Sequence, residues 1–254
     1  MELRLIGIRF PLVRPGQDLR PLVLRALRRL GGAREGDVLI LSSKVVALSQ
    51  GRTVRLSEVR PGPRALRLAR RTGLDPSFVE VVLKEADEVL GASRGALLTL
   101  KRGLLCANAG VDLSNAPPGH AVLLPSQPGR FARELRRYLL EEEGVRVGVI
   151  LSDSTVRPLR LGTVGQAIAV SGIPGALDCR GRRDLFGRKL KVTVRALADQ
   201  LATAAELLMG EADEGVPLVV VRGLRLEGRP LASPSIRPER CLYLSLLKKA
   251  LRGG

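Results

Sequence analysis

Residues 3–8 alternate well enough for a strand, and Phe10-Pro11-Leu12-Val13-Arg14-Pro15-Gly16 breaks the run into a loop. The period then changes. Asp18 stands where it can cap a helix in which Leu19, Leu22, Val23, Ala26, Leu27 and Leu30 share one face, and Gly31-Gly32 supplies the stop. Residues 38–41 form a short apolar run between Asp37 and Ser42-Ser43-Lys44, the pattern of a buried strand that delivers polar groups at its end. A second helix is expected from Asp75-Pro76, with the aspartate as cap, proline at the first helical position and Val79, Val82, Leu83 and Ala86 turned inward.

Residues 96–107 read as two short strands about Lys101-Arg102-Gly103, followed by the polar loop Asn108-Ala109-Gly110-Val111-Asp112-Leu113-Ser114-Asn115. Phe131, Leu135, Tyr138 and Leu139 mark a third helix, and residues 145–151 a strand ending at Ser152-Asp153-Ser154. Leu197, Leu201, Ala204, Ala205 and Leu208 share a face of a helix over about 195–209, which Gly210 is placed to end. A buried strand at 218–221 and a final helix from 238 to about 252 complete the pattern. The fold class is therefore mixed α/β. No fixed-period repeat or low-complexity linker marks a domain boundary.

With 254 residues and 45% apolar content the chain can bury a substantial core. The N-terminus lacks a signal-peptide layout, and no apolar run approaches the roughly 20 residues of a membrane-spanning helix, so a cytoplasmic location is expected. Three cysteines, widely spaced and without a CxxC pair, argue against a disulfide framework or a structural zinc site. His120 is the only histidine, which excludes any mechanism that needs two. The net charge of +17 raises the question of nucleic acid, but the excess is mostly arginine scattered along the chain and aromatics are only 2%. Solvated basic faces and an anionic substrate account for the charge without a nucleic-acid partner.

Three acids lie beside glycine or small residues at the ends of elements: Asp112, Asp153, and Glu211 in Gly210-Glu211-Ala212-Asp213-Glu214-Gly215. Each alone is an ordinary cap, turn former or solvated charge. Converged, they would suit a hard divalent cation, which prefers oxygen ligands and bridges to nucleotide phosphates. Ser42-Ser43-Lys44 offers two hydroxyls and an ammonium to phosphate oxygens. There is no GxxxxGK[ST] loop and no GxGxxG strand-to-helix fingerprint. Arg157, Arg160, Arg180, Arg182, Arg183 and Arg188 are either anion clamps or plain surface charge.

Taken in order, Ser42-Ser43-Lys44-Val45-Val46, the stretch from Cys106 through Asp112 with Ser114-Asn115, Ser152-Asp153 with Arg157-Pro158, Asp184-Leu185-Phe186-Gly187-Arg188, Ala198-Asp199 with Ala204-Ala205-Glu206, and Met209-Gly210-Glu211-Ala212-Asp213-Glu214-Gly215-Val216-Pro217 resemble the coenzyme F420-0:L-glutamate ligase family. The resemblance covers about residues 3–223 and implies one catalytic unit over 1–254, with two intertwined subdomains a further option, in an unusual mixed α/β fold that forms homodimers. It implies GTP-dependent amide formation between a carboxylate of F420-0 and the amino group of L-glutamate, through an acyl phosphate and with magnesium or manganese. Carried over, Asp112 and Asp153 would hold one metal ion, and Ser154 and Glu211 a second. Phe10, Pro11, Leu12, Val13, Ser42, Ser43, Lys44, Asn115 and Met209, Gly210, Glu211, Ala212, Asp213, Glu214, Gly215 and Val216 would surround the nucleotide, and no protein nucleophile is implied.

Ser154, Val156 and Leu159 stand where the family pattern has threonine, glycine and tryptophan. The first keeps a hydroxyl, whereas the other two remove a glycine's backbone freedom and a stacking surface, so the acceptor pocket is expected to differ. A related ligase with another anionic acceptor, or a noncatalytic nucleotide-binding relative, are the readings that compete.

Overall fold

The structure is a computed structural model that describes residues 2–244. Its strands are β1 Arg4–Ile8, β2 Val38–Ser42, β3 Thr53–Arg55, β4 Glu88–Ser93, β5 Ala96–Lys101, β6 Leu104–Ala107, β7 His120–Val122, β8 Gly148–Val156, β9 Thr163–Ser171, β10 Ala176–Asp178, β11 Val194–Arg195, β12 Leu218–Arg222 and β13 Arg229–Leu231. Its α-helices are α1 Leu19–Arg29, α2 Ser43–Ser49, α3 Pro63–Thr72, α4 Pro76–Glu85, α5 Pro128–Glu143 and α6 Leu197–Met209. The mixed α/β class expected from the sequence is what is found. Among the described residues no helix is long and apolar enough to cross a membrane.

The chain divides into two compact units, one of residues 2–51 and 125–234 and the other of 52–124 and 235–244. The first unit is built on a five-stranded sheet in the order β1-β12-β2-β8-β9, antiparallel except for the parallel pair β2 and β8. Leu39, Leu41, Val149, Leu151, Leu218 and Val220 pack on one face with α1 and α5, while Val38, Ile40, Ile150, Val219 and Val221 pack on the other with α6. Helices on both faces explain why β2 and β12 are continuous apolar runs instead of alternating ones. At the end of the sheet where β12 finishes and β2 begins lies a buried ion pair, in which Arg222 Nε lies 3.1 Å from both oxygens of Asp37 and its Nη2 donates to the carbonyl of Gly32.

α6 is pinned to β9 by approach and by hydrogen bonds. A Cβ on Gly165 would stand 2.3 Å from the carbonyl oxygen of Ala202, so only glycine lets the helix lie this close. Thr203 Oγ1 donates to the Gly165 carbonyl, and Asp199 accepts from the Ala167 N–H, each at 2.9 Å. The buried face of α6 is Leu197, Ala198, Leu201, Ala202, Ala205 and Met209, so it is turned slightly from the expected stripe, and Leu208 is exposed.

In the second unit α3, α4 and the sheet β4-β5-β6 enclose a core of Ala65, Phe78, Val79, Val82, Leu97, Val111 and Leu123 beside the β3-β7 pair. Asp75 caps α4 through Phe78 N–H at 2.9 Å, with Pro76 at the first helical position as the sequence indicated. α2, α3 and β9 were not anticipated from the sequence pattern. Of the expected C-terminal helix, Pro238–Arg240 is a 3-10 turn and the portion from 245 lies outside the described residues.

Candidate functional site

In the first unit the candidate residues gather at the carboxyl end of the parallel pair β2 and β8, the end where open α/β sheets present their ligand sites. Ser42 closes β2 and Ser43 opens α2. Ser43 is 2% exposed, and its hydroxyl donates to Asp153 Oδ1 at 2.5 Å. Two backbone bonds hold neighbouring loops at the same end, since Phe10 N–H donates to the Gly215 carbonyl at 3.1 Å and Ser42 N–H to the Pro217 carbonyl at 2.9 Å. The 10–13 loop, the start of α2 and the 209–216 turn are thereby adjacent.

Ser152, Asp153 and Ser154 do not end a strand, as expected, but lie inside β8, which continues to Val156. β2 is paired with β8 only as far as Ser42 and Ser152, so Asp153 is the first residue past its partner's end. The register of β8 against β9 shifts between Leu151 and Ser152, a bulge of the kind often found beside sites. Alternation then divides the strand. Ile150 belongs to the α6 face, so Ser152 and Ser154 turn toward that face while Asp153 turns toward Ser43. Val156 is extended and paired with Thr163, so no conflict with a positive backbone angle arises there. The left-handed residue is Leu159, at φ 56°, and its side chain is fully exposed.

Gly210 ends α6 as the sequence indicated, with φ 65° and ψ −174°. A Cβ there would lie 2.0 Å from the Glu214 carboxyl carbon, and that carboxylate accepts the Ala212 N–H at 2.8 Å. Glu214 therefore builds the turn, and Glu211 is left to project toward Thr163, whose hydroxyl donates to Glu211 Oε1 at 2.5 Å.

Glu206 entered the sequence reading only as part of the Ala204-Ala205-Glu206 motif and was given no role in the site. It is half-buried on α6, hydrogen-bonded to Glu211 and within electrostatic reach of Asp153 and Lys44. Burial first, then the charge and hydrogen bond of Glu211 and the charge of Asp153, push its carboxyl up to about 7, while Lys44 opposes the rise. The signal was present in spacing: Asp199, Thr203 and Glu206 recur four and three residues apart, a polar line beside the apolar stripe. Thr163 carries no comparable signal.

Asp112 and Asn115 belong to the second unit. The loop leading to them is firmly built, with Asn108, Ala109 and Gly110 all left-handed. Asn108 Oδ1 accepts from Leu97 N–H, Ala109 N–H donates to Thr99 Oγ1, and a Cβ on Gly110 would collide with Leu124. Asp112 accepts from the Ser114 N–H at 2.9 Å and the Ser114 hydroxyl at 2.7 Å, and its backbone bridges to Val122. Among the arginines, Arg180 pairs with Asp178, Arg182 with Glu227, and Arg183 donates to the Gly187 carbonyl. Arg229 also reaches Asp178, and these partners, Arg180 foremost, hold the Asp178 carboxyl far below the usual range.

Among the described residues no group of three or more His, Cys, Asp or Glu side chains forms a ready metal cage. The first unit nevertheless presents two all-oxygen groups, Ser43 with Asp153 and Thr163 with Glu211 and Glu206, which lie within electrostatic reach of each other and offer the donor chemistry a hard cation takes. A cation held there would draw its remaining ligands from a substrate.

The model of the F420-0:gamma-glutamyl ligase family matches residues 7–223. The chain belongs to that family. The coenzyme F420:L-glutamate ligase of Methanopyrus kandleri is 49% identical to it over 238 residues, covering 91% of this chain and 93% of the relative. The proteins of the same name from Archaeoglobus fulgidus and Methanothermobacter thermautotrophicus are 43% and 42% identical, over 91% and 92% of this chain and 94% and 97% of theirs. The family match spans the Ser43–Asp153 pair, α6 and the 209–216 turn of this gamma-glutamyl ligase relative.

Proposed function

We propose that the protein is a cytoplasmic coenzyme F420:L-glutamate ligase that uses GTP and divalent metal to join L-glutamate to F420-0 by an amide bond. The observation that carries this reading is the gathering of Asp153, Glu206 and Glu211 beside Ser43 and Lys44 at the carboxyl end of the central sheet, in a chain that matches the family over residues 7–223. Asp112 and Asp153 are assigned to one metal ion, and Ser154 and Glu211 to a second. Phe10 to Val13, Ser42 to Lys44, Asn115 and the 209–216 turn are assigned to the nucleotide.

A bound cation supplies positive charge where a carboxylate must approach a triphosphate. Lys44 adds an ammonium to the same task, and Ser43 fixes the rotamer of Asp153 through its hydrogen bond. An acceptor carboxylate oxygen bonds to the γ-phosphorus as the bridge to GDP breaks, giving an acyl phosphate. The glutamate nitrogen then bonds to the acyl carbon as phosphate leaves, and the amine proton passes to solvent. Holding both substrates replaces a bimolecular encounter, so no protein nucleophile is needed.

The reading includes a homodimer. Leu159, Leu161, Leu185, Phe186 and Val192 stand exposed on two segments of the first unit, apolar surface of the kind association covers. Incubation with GTP, magnesium or manganese, L-glutamate and F420-0 tests the proposal, with mass analysis of the acceptor and assay of GDP. A glutamyl mass increment with matching GDP release is expected; nucleotide turnover without the increment would overturn the acceptor assignment.

A further inference from the structure

The second unit contains a basic groove that the ligase reading does not use. One wall is α3, which presents Arg64, Arg67, Leu68 and Arg71, and the other is Val89, Leu90, Gly91 and Ala92 of β4, around a volume of about 430 Å³. The arginines are three and four residues apart and so share a helix face, spread over about 10 Å at a rise of about 1.5 Å per residue. β4 is the edge strand of its sheet and carries a bulge between Val89 and Gly91.

What distinguishes the groove is uncompensated charge. Among the described residues none of Arg64, Arg67 and Arg71 makes an ion pair or a side-chain hydrogen bond, and residues 245–254 contain no acid. Of the acids of this unit, Glu58 pairs with Arg55, Glu80 with Lys84, and Glu85 with Arg52 and Lys101, Asp75 caps α4, and Glu88, at the start of β4, is the one nearest in sequence to the groove lining. A second basic groove, in the first unit, provides the contrast. There Arg4 is held by Glu2 at 2.7 Å and Arg222 by Asp37 at 3.1 Å, so two of its three arginines are already paired and only Arg34 adds charge.

We propose that the α3–β4 groove binds a multiply charged organic phosphate. Three like charges on one helix face repel one another, and an anion bridging them removes that repulsion while accepting the forked guanidinium hydrogen bonds that suit phosphate. Leu68, Val89 and Ala92 offer an apolar floor to the body of the ligand. The volume falls within the range of small-ligand sites. Every lining residue belongs to one unit, so the site is complete independently of the ligase cluster.

The experiment is hydrogen exchange by mass spectrometry on the full chain at constant ionic strength, with a hexose bisphosphate, inorganic pyrophosphate and sodium sulfate as probes. Slower exchange over 63–73 and 88–93 is expected with the bisphosphate at concentrations where sulfate has no effect. Arg64→Ala/Arg67→Ala/Arg71→Ala should abolish it, whereas Arg25→Ala/Arg29→Ala/Arg133→Ala, which removes the same charge from exposed positions on α1 and α5, should retain it. Should the triple variant fold poorly, Arg67→Gln alone is expected to weaken binding about tenfold, the loss of one charge-assisted hydrogen bond. Equal losses in both triple variants, equal protection by sulfate, protection by pyrophosphate alone, or protection confined to the 209–216 turn would each overturn the proposal. None of these outcomes depends on GTP turnover, so the ligase reading stands or falls separately.

Discussion

Replacing Glu206 by glutamine should make the protein more stable, and only above a defined pH. The Glu206 carboxyl is pushed from 4.5 up to about 7 by burial and by the negative charges of Glu211 and Asp153. Between those values the folded chain holds a proton that the unfolded chain has released, so stability falls as pH rises through this window. At about 1.4 kcal/mol per pH unit the penalty above neutrality is on the order of 3 kcal/mol, which partial solvent screening of a half-buried group reduces to about 2. Glutamine keeps the shape and a donor to Glu211 without the charge. Melting temperatures measured from pH 5 to 8 without divalent ions should coincide near pH 5. By pH 8 the variant should lie about 4–8 °C higher, at about 2–4 °C per kcal/mol for a chain of this size. A difference that does not vary with pH, or a variant less stable throughout, would refute the electrostatic account of this cluster. Manganese should raise the wild-type midpoint at pH 8 more than that of the variant.

Asp153→Asn should keep the melting temperature within about 2 °C of wild type, as the Ser43 contact can persist, while GDP release and glutamate transfer fall at least about 100-fold, an effect within the range of losing one electrostatic stabiliser; near-normal turnover would remove Asp153 from the chemistry. Arg222→Met strands Asp37, which is 3% exposed, and should cost about 3–5 kcal/mol in urea unfolding, with Asp37→Asn recovering part of the loss in the double variant. Gly165→Ala drives a methyl into the Ala202 carbonyl and should cost about 2 kcal/mol or more; a neutral result would mean that α6 can retreat from β9 freely.

Periodicity located α1, α4, α5, α6, β2 and β12 because each buries a stripe or a run that solvent cannot tolerate. It failed at α2, seven residues long, where four of the first five positions after β2 are buried and no polar face interrupts them. It failed at α3 because arginine takes four of its six exposed positions, Leu66 faces outward, and only Ala65, Ala69 and Thr72 are buried, too small a stripe to stand out. The strand that carries Asp153 was cut short at Leu151, since its outer half loses β2 as a neighbour and its residues turn polar while the pairing with β9 continues. Asp153 and Glu211 were visible as acids among small residues. Glu206 was hidden in an otherwise ordinary helix, because its environment depends on how closely Gly165 lets α6 approach β9, a distance that no local pattern encodes.

The order of strands in the first unit has a consequence for synthesis. β1 begins at Arg4, yet its ladder partner, β12, begins at Leu218, and β2 must likewise await β8 from residue 148. The N-terminal strands therefore emerge from the ribosome about 200 residues before the sheet can be completed, while the stretch 52–124 has nearly all of its own partners at hand. The inserted unit should condense on the nascent chain first, and the central sheet should zip only once β12 has emerged, leaving two strands for holdase chaperones to guard in the interval.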